Sequence, residues 1–451
     1  MAVSARKRIW GWFFFDWASQ PYSTLLLTFI FAPYFAEVAR AHFTAAGAGP
    51  QAAAAQAQAY WTGGLTAAGI VIAILAPILG AVADGSGNRM GWIRGFSGLY
   101  ILAAFALWWT GATGGLFWPV VFFGLGLIAM EFATIFTNAL MPHLAVREEL
   151  GRVSGSGFAF GYAGGVLALF LVLGFFAENA ETGRTFLKIP PVLGLDPALR
   201  EGTRAVGPFT AIWYALFMIP FFLWVAEPLR PKTHPARRAL ARLWDSLKAL
   251  PRRRSLAAYL ASSMFYRDAL NAIYGLGGAF ASNVLGWSVT QSGTFGVIAA
   301  ITAAAACWAG GRLDGRLGPK PVIIGCILVL IAVCVTLMGL SRDTLFGVAL
   351  AEGSALPDQI FYLCGALIGA AGGVLQASSR TLMVYHADPD RAAEAFGLYG
   401  LSGKATSFLA PALITAATAM TGSARLGIAP LIPLLGLGLV LLIWVAPKGD
   451  R

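Results

Sequence analysis

Six ionisable side chains stand inside long apolar runs of this chain: Asp16, Glu131, Arg267, Asp268, Arg380 and Lys404. In hydrocarbon such a group is costly unless it meets water, an opposite charge or a solute. Chemistry of that kind needs no nucleophile. It is recognition of a charged or zwitterionic solute, with Glu131 and Asp268 as the carboxylates able to carry a coupling proton. The competing role is an ion pair that holds helices in register. Arg380, close to the end of its run, suits that role or a snorkelling one.

A second set of charges sits on two short loops. Gly80-Ala-Val-Ala-Asp84-Gly-Ser-Gly87-Asn-Arg89 and Gly310-Gly-Arg-Leu-Asp314-Gly-Arg-Leu-Gly318-Pro-Lys320 share the order glycine, aspartate, glycine, cation. The later copy has one extra residue before its last glycine, as a diverged duplicate would. By themselves the cations of these loops would serve as topological determinants of the positive side, Arg89 among them.

Such residues need elements that can carry them through lipid. The chain is 58% hydrophobic and 12% charged, a composition foreign to ordinary soluble globules. Twelve runs approach the roughly 20 apolar residues that cross a bilayer as a helix. They lie near 12–38, 59–83, 92–110, 116–140, 153–177, 209–226, 255–283, 291–311, 321–340, 358–384, 394–421 and 428–446. Helices are required because every backbone N–H and C=O must be satisfied within lipid, and the alternation of a β-barrel is missing. The run behind Arg6-Lys7-Arg8 outlasts the about 7–15 residues of a signal segment. Cys307, Cys326, Cys334 and Cys364 lie in apolar runs without metal-ligand or redox spacing and read as core residues.

The formal net charge is +11. Of the 32 Lys and Arg, 22 fall at the end of the helices that also bears both termini and only 7 on the opposite loops. That bias places both termini in the cytoplasm and explains the basicity without nucleic acid; the expected location is a cell inner (plasma) membrane. The most basic connection, residues 227–254, separates an N-terminal six-helix bundle, 1–226, from a C-terminal one, 255–451. Within it Leu240, Leu243, Trp244, Leu247 and Leu250 share one helical face, with Arg237, Arg238, Arg242 and Lys248 for the polar side. This is the pattern of an amphipathic helix lying on the membrane and tethering the two bundles.

The halves echo one another. Phe14-Phe15-Asp16-Trp17, followed by Tyr22, is matched by Tyr266-Arg267-Asp268-Ala269, followed by Tyr274. Repeats of this kind frame a substrate site near the midplane. The glycine–aspartate loop between the second and third helices, repeated between the eighth and ninth, resembles the hallmark of the major facilitator superfamily. Asp16-Trp17-Ala18-Ser19, Asn138-Ala139-Leu140-Met141-Pro142, Gln376-Ala377-Ser378-Ser379-Arg380 and the string Phe396-Gly397-Leu398-Tyr399-Gly400-Leu401-Ser402-Gly403-Lys404 look like its vacuole-effluxer-like branch, the autophagy-related amino-acid effluxers. The resemblance implies a twelve-helix transporter working by alternating access, with helices one, four, seven and ten lining its cavity. Five of the six intramembrane charges fall on those helices. It also implies that the two loops are gates, each aspartate holding a helix terminus in one state and releasing it in another.

No H-E-x-x-H helix and no G-x-x-x-x-G-K-[ST] loop occurs, so neither a metalloprotease nor an ATP-driven pump is indicated. The expected protein is an all-α membrane protein, twelve transmembrane helices in two pseudo-symmetric six-helix bundles, and not an enzyme. It would move a small zwitterionic metabolite such as an amino acid or short peptide, with a possible coupling proton, as a monomer in the lipid bilayer, with no cofactor, metal or nucleic acid. The alternative is a permease or flippase-like carrier for larger amphiphiles such as cell-wall fragments or lipids, or a channel of the same fold.

Overall fold

The computed structural model describes residues 3–111, 115–227 and 236–449. Residues 228–235 of the expected basic connection, and the side chains of Arg237 and Arg238, lie outside that description. Apolar runs of the lengths noted above fold as helices because only intrahelical bonding satisfies a backbone in lipid. Helix α1 (Ala5–Pro21) passes through a π-helical stretch, Tyr22–Phe29, into α2 (Phe31–Ala45). Then come α3 (Pro50–Ser86), α4 (Arg89–Ala106), α5 (Phe117–Asn138) and α6 (Arg147–Leu171). The short α7 (Glu201–Arg204) leads into α8 (Val206–Trp224), and α9 (Ala236–Ala249) follows. Next are α10 (Arg254–Leu285), α11 (Val289–Leu317) and α12 (Pro319–Gly339), then a small hairpin of β1 (Thr344–Leu345) and β2 (Val348–Ala349). The chain ends with α13 (Leu356–His386), α14 (Ala392–Ala405), α15 (Leu409–Thr421) and α16 (Leu431–Leu441).

Helices stand at all twelve predicted runs. Among the described residues, 10 helical segments are long and apolar enough to cross a membrane on those grounds alone. The two predicted runs that fall short are α10 and the pair α14–α15. The first carries Arg254, Arg267 and Asp268, and the second carries Glu394 and Lys404 and is broken between Ala405 and Leu409. For α10 the shortfall coincides with Arg267 and Asp268, which the sequence singles out, and for the pair it follows from the break, which leaves helices of 14 and 13 residues.

Two compact units emerge from the packing. The first comprises the described residues of Met1–Ile74, Asn88–Thr137 and Phe160–Arg230. Its interior holds Trp12, whose indole donates to the carbonyl of Thr137 at 3.0 Å, and Tyr22, whose hydroxyl donates to the carbonyl of Phe123 at 2.5 Å. Tyr100 and Tyr214 stack at 4.0 Å beside them, and Ser97 shares a 2.9 Å hydrogen bond with Tyr214. At one end, the buried carboxylate of Glu178 accepts from the backbone N–H of Thr203 at 3.1 Å and its hydroxyl at 2.7 Å. That capping fixes the short α7, and Arg200 reaches both Glu178 and Glu37 from the same turn.

The second unit comprises the described residues of Leu75–Gly87, Asn138–Ala159 and Pro231–Arg451. The end of α3 and the first half of α6 thus pack with α9 to α16. Their close approach depends on small residues, as expected where helices pack without a hydrophobic driving force. A Cβ on Gly155 would stand 2.6 Å from the Cα of Gly311, so α6 and α11 cross backbone to backbone at that point.

Candidate functional site

The two glycine–aspartate loops both reach helix ends in the second unit, and they do different things there. Asp84, in the last turns of α3, accepts from the backbone N–H of Ala393 at 3.2 Å and of Glu394 at 2.8 Å. These are first-turn amides of α14, left without intrahelical acceptors by the geometry of any helix start. A carboxylate there satisfies two of them and meets the positive end of the helix dipole. Gly80 permits the approach, since a Cβ on it would lie 2.8 Å from the carbonyl carbon of Ala393, and Gly397 is pressed against Ala76 and Pro77 in the same seam. Gly87 turns the chain at φ +63, and Arg89 opens α4 with its side chain buried, capped by Asn88.

Asp314 makes no such cap. Its Oδ1 accepts from the Ser378 hydroxyl at 2.7 Å, and its buried Oδ2 finds no hydrogen-bond donor among the described residues. Gly318 turns the chain at φ +84, Lys320 donates to the carbonyl of Val445 at 2.8 Å, and Gly310 lies against Val374. The duplicated loops have thus diverged in what their aspartates hold.

Arg380 is buried on α13 and bridges to α6. Its Nε donates to the Ser154 hydroxyl at 2.9 Å, Nη2 donates to the Ser154 carbonyl at 2.8 Å, and Nη1 donates to the Asn138 amide oxygen at 3.3 Å. The guanidinium also covers the ring of Phe158 at 4.2 Å. Its fork is used for register between helices. Sequence reading flagged Arg380 and quoted Ser378 in the string beside it without a role, and it missed Ser154, because a serine in an apolar helix carries no signal until its partner is known.

Arg267 and Asp268 meet the break in the α14–α15 pair. Asp268, 2% exposed, accepts through Oδ2 from the N–H of Ala410 at 2.9 Å, which caps the start of α15. Arg267 donates to the carbonyl of Tyr399 at 2.7 Å, lies 4.1 Å over the Tyr399 ring and is packed on Gly403. At the break itself Thr406 donates its hydroxyl to the Met264 carbonyl at 3.1 Å, and Ser407 donates to the Lys404 carbonyl at 2.9 Å. Lys404 is half-buried one residue before the end of α14. Neighbouring cation and anion on α10 therefore reach both sides of the break, the cation at a carbonyl within α14 and the anion at a first-turn amide of α15. Sequence reading found both charges but passed over the break, which Pro411 signals: it has no N–H for the Ser407 carbonyl four residues earlier, and its ring crowds that carbonyl.

The first unit holds the remaining two. Asp16 is half-buried on α1, where Gly161 of α6 lies against its backbone, and Glu131 is half-buried on α5. Neither is without a partner. Around Trp17, the neighbour of Asp16, an aromatic cluster gathers: Phe160 stacks at 4.4 Å, Trp213 at 5.8 Å, and Phe217 meets Trp213 at 4.6 Å.

The family model described as "Vacuole effluxer Atg22 like" matches residues 146–450, from the start of α6 to the end of the chain. The chain belongs to the Atg22-like effluxer family. An uncharacterized MFS-type transporter of Bacillus subtilis, YxiO, is 25% identical over 96% of this Atg22-like chain and 94% of its own length. Autophagy-related protein 22-2 of Emericella nidulans is 27% identical over 61% of the chain, which there spans 48% of the fungal protein. Among solved structures, the proton:xylose symporter XylE superposes with TM-score 0.70 at 12% identity, covering 97% of the chain and 94% of XylE. The transporter FucP in its outward conformation gives 0.65 at 15%, covering 97% and 98%. A bacterial homologue of the iron transporter ferroportin, in its outward-facing state with soaked iron, gives 0.63 at 14%, covering 98% of both chains. At those identities the likeness is one of fold, and that fold is the major facilitator one. This Atg22-like chain is accordingly an all-α, multi-pass membrane transporter of major facilitator type, in a family of transporters rather than enzymes.

Proposed function

We propose that this transporter moves a small zwitterionic metabolite, an amino acid or short peptide, by alternating access, from a plasma (inner) membrane with both termini in the cytoplasm. The observation that carries this reading is the broken helix. The end of α14 presents carbonyls and the start of α15 presents amides, partial charges of opposite sign a few residues apart. Asp268 meets the first-turn amide of Ala410, Arg267 beside it reaches the Tyr399 carbonyl inside α14, and Lys404 stands beside the break, so both signs of charge that a zwitterion carries are present there. A solute with an ammonium and a carboxylate matches that environment, and the family's description as effluxers supports export as the direction. Asp84 on the first turn of α14 is then the gate contact, made and released at the cytoplasmic side in each cycle. Glu131 and Asp268 are the carboxylates proposed to carry a coupling proton, and the protein is proposed to act as a monomer.

The experiment is a thermal-shift screen of the purified protein against amino acids, dipeptides, sugars, nucleosides and amphiphiles at two pH values, because a ligand of the native state raises its stability. A zwitterionic hit lost in Lys404→Ala supports the reading. A second reading, transport of larger amphiphiles, is favoured by the Trp17, Phe160, Trp213 and Phe217 cluster, which offers ring faces to an apolar or cationic solute. Hits confined to amphiphiles, weakened in Trp17→Ala and not in Lys404→Ala, would replace the first reading with the second.

A further inference from the structure

Helix α9 has two apolar stripes, and they do not share a fate. Ala239 and Leu243 are buried, with Leu247 and Leu250 half-buried behind them. Leu240 and Trp244, expected on the same face, are 43% and 60% exposed. They form a stripe at i and i+4 that continues to Lys248, whose ammonium lies 5.4 Å over the Trp244 ring. Arg242 on the helix and Arg252 and Arg254 just past its end are also exposed, and Asp245 is the helix's one acidic residue. An apolar ridge with an aromatic and a lysine at its end, on a predominantly basic segment, complements an anionic lipid surface in both hydrophobicity and charge.

The inner side of the same helix reaches the contact described for Asp84. Arg391 donates through Nη2 to the carbonyl of Arg242, at 3.4 Å, and to the hydroxyl of Ser246. That nitrogen also lies 2.8 Å from both carboxylate oxygens of Glu394, so its two hydrogens are shared between α9 and Glu394. Glu394 is the residue whose amide Asp84 accepts. One relay therefore runs from α9 through Arg391 and Glu394 to Asp84, all within the second unit.

We propose that α9 is a membrane-anchored latch: Leu240, Trp244 and Lys248 dock on anionic phospholipid headgroups, and the docked helix holds Arg391 and Glu394 so that the Asp84 contact stays closed. The latch rests on the gate assigned to Asp84 above. A second copy of the chain is the rival occupant of the exposed stripe.

The test is amide hydrogen exchange of the full chain in nanodiscs of phosphatidylcholine alone and of phosphatidylcholine with phosphatidylglycerol. Phosphatidylglycerol should slow exchange at Ala393 and Glu394 by roughly fivefold, the effect of about one basic residue held at an anionic surface. Leu240→Gln with Trp244→Gln should abolish that difference. Arg391→Ala should abolish it too while leaving the slowing within α9 itself. Equal exchange in the two lipids, or a full lipid effect in Arg391→Ala, would overturn the latch. Protection of α9 that rises with protein concentration in lipid-free detergent would assign the stripe to a second copy instead. The gate reading fails separately, if Asp84→Ala leaves exchange at Ala393 and Glu394 unchanged. In that case lipid-dependent exchange within α9, lost in the Leu240/Trp244 variant, still decides the docking surface.

Discussion

The carboxylate of Asp268 takes the amide hydrogen of Ala410 at 2.9 Å, across 142 residues of sequence. A helix that restarts inside lipid has orphan amides that water cannot reach. Asp268 supplies the missing acceptor from a neighbouring helix. Its first duty is thus to a backbone group, and any solute or proton that engages it must also act on the start of α15.

Asp268→Ala should therefore lower the thermal unfolding temperature by the equivalent of about 1 kcal/mol, the worth of a helix cap. Asp268→Asn keeps an acceptor oxygen and should melt near wild type while altering the pH dependence of transport. Equal destabilisation by both changes would sink the cap interpretation.

The two loop aspartates should respond unequally. Asp84→Ala removes acceptors from two first-turn amides, so hydrogen exchange at Ala393 and Glu394 should rise roughly fivefold, corresponding to about 1 kcal/mol of capping. Asp314→Asn retains an oxygen for Ser378 and touches neither of those amides, so protection of Ala393 and Glu394 should stay as in the wild type. A larger loss of protection in Asp314→Asn than in Asp84→Ala would reverse the assignment of roles.

Close approach at the α3–α14 seam can be checked by adding a methyl group. A Cβ on Gly397 would stand 2.8 Å from the Ala76 carbonyl carbon and 2.9 Å from the Pro77 Cα. Gly397→Ala should cost about 1–3 kcal/mol and accelerate exchange at Ala393. Gly98→Ala on α4, where nothing lies within 4 Å, should leave stability equal or raise it by up to about 1 kcal/mol. Melting curves of the two variants side by side give the answer.

Arg380→Lys keeps the charge and loses the fork. A single ammonium cannot reach Ser154 and Asn138 with the same geometry, so a loss of about 1.5–3 kcal/mol per charged hydrogen bond forfeited should appear as a lower melting temperature. A variant that melts with wild type would show that the fork is dispensable.

Much of this was legible in the residues themselves. Apolar runs gave the helices because lipid leaves the backbone no other solution, and the glycine–aspartate spacing pointed to Asp84 because few folds need a carboxylate at that place. The differing fates of Asp84 and Asp314 were not legible: strings with the same order of glycine, aspartate, glycine and cation lead one carboxylate to amides and the other to a hydroxyl, a choice made by packing. The stripe on α9 split for the same reason. Periodicity put Leu240 and Leu243 on one face, but only tertiary contacts decide which part of a wide apolar face is covered. The break before Leu409 has a local cause in Pro411, which denies the Ser407 carbonyl its partner, but the acceptor that makes the restart tolerable, Asp268, lies on another helix and was not legible.

Helices α10 and α14–α15 have a consequence for how the protein is made. A charged side chain at the centre of a nascent helix opposes insertion by about 2.5–3.5 kcal/mol, and α10 carries two in succession. Its Asp268 meets Ala410 only after the ribosome has added the 142 residues between them, an interval of roughly ten seconds at ordinary rates of synthesis. Until then α10 is a reluctant guest of the bilayer, sheltered by the insertion machinery or by earlier helices. A nascent chain stalled before Leu409 leaves Asp268 without the amide it caps and becomes a natural object of membrane quality control.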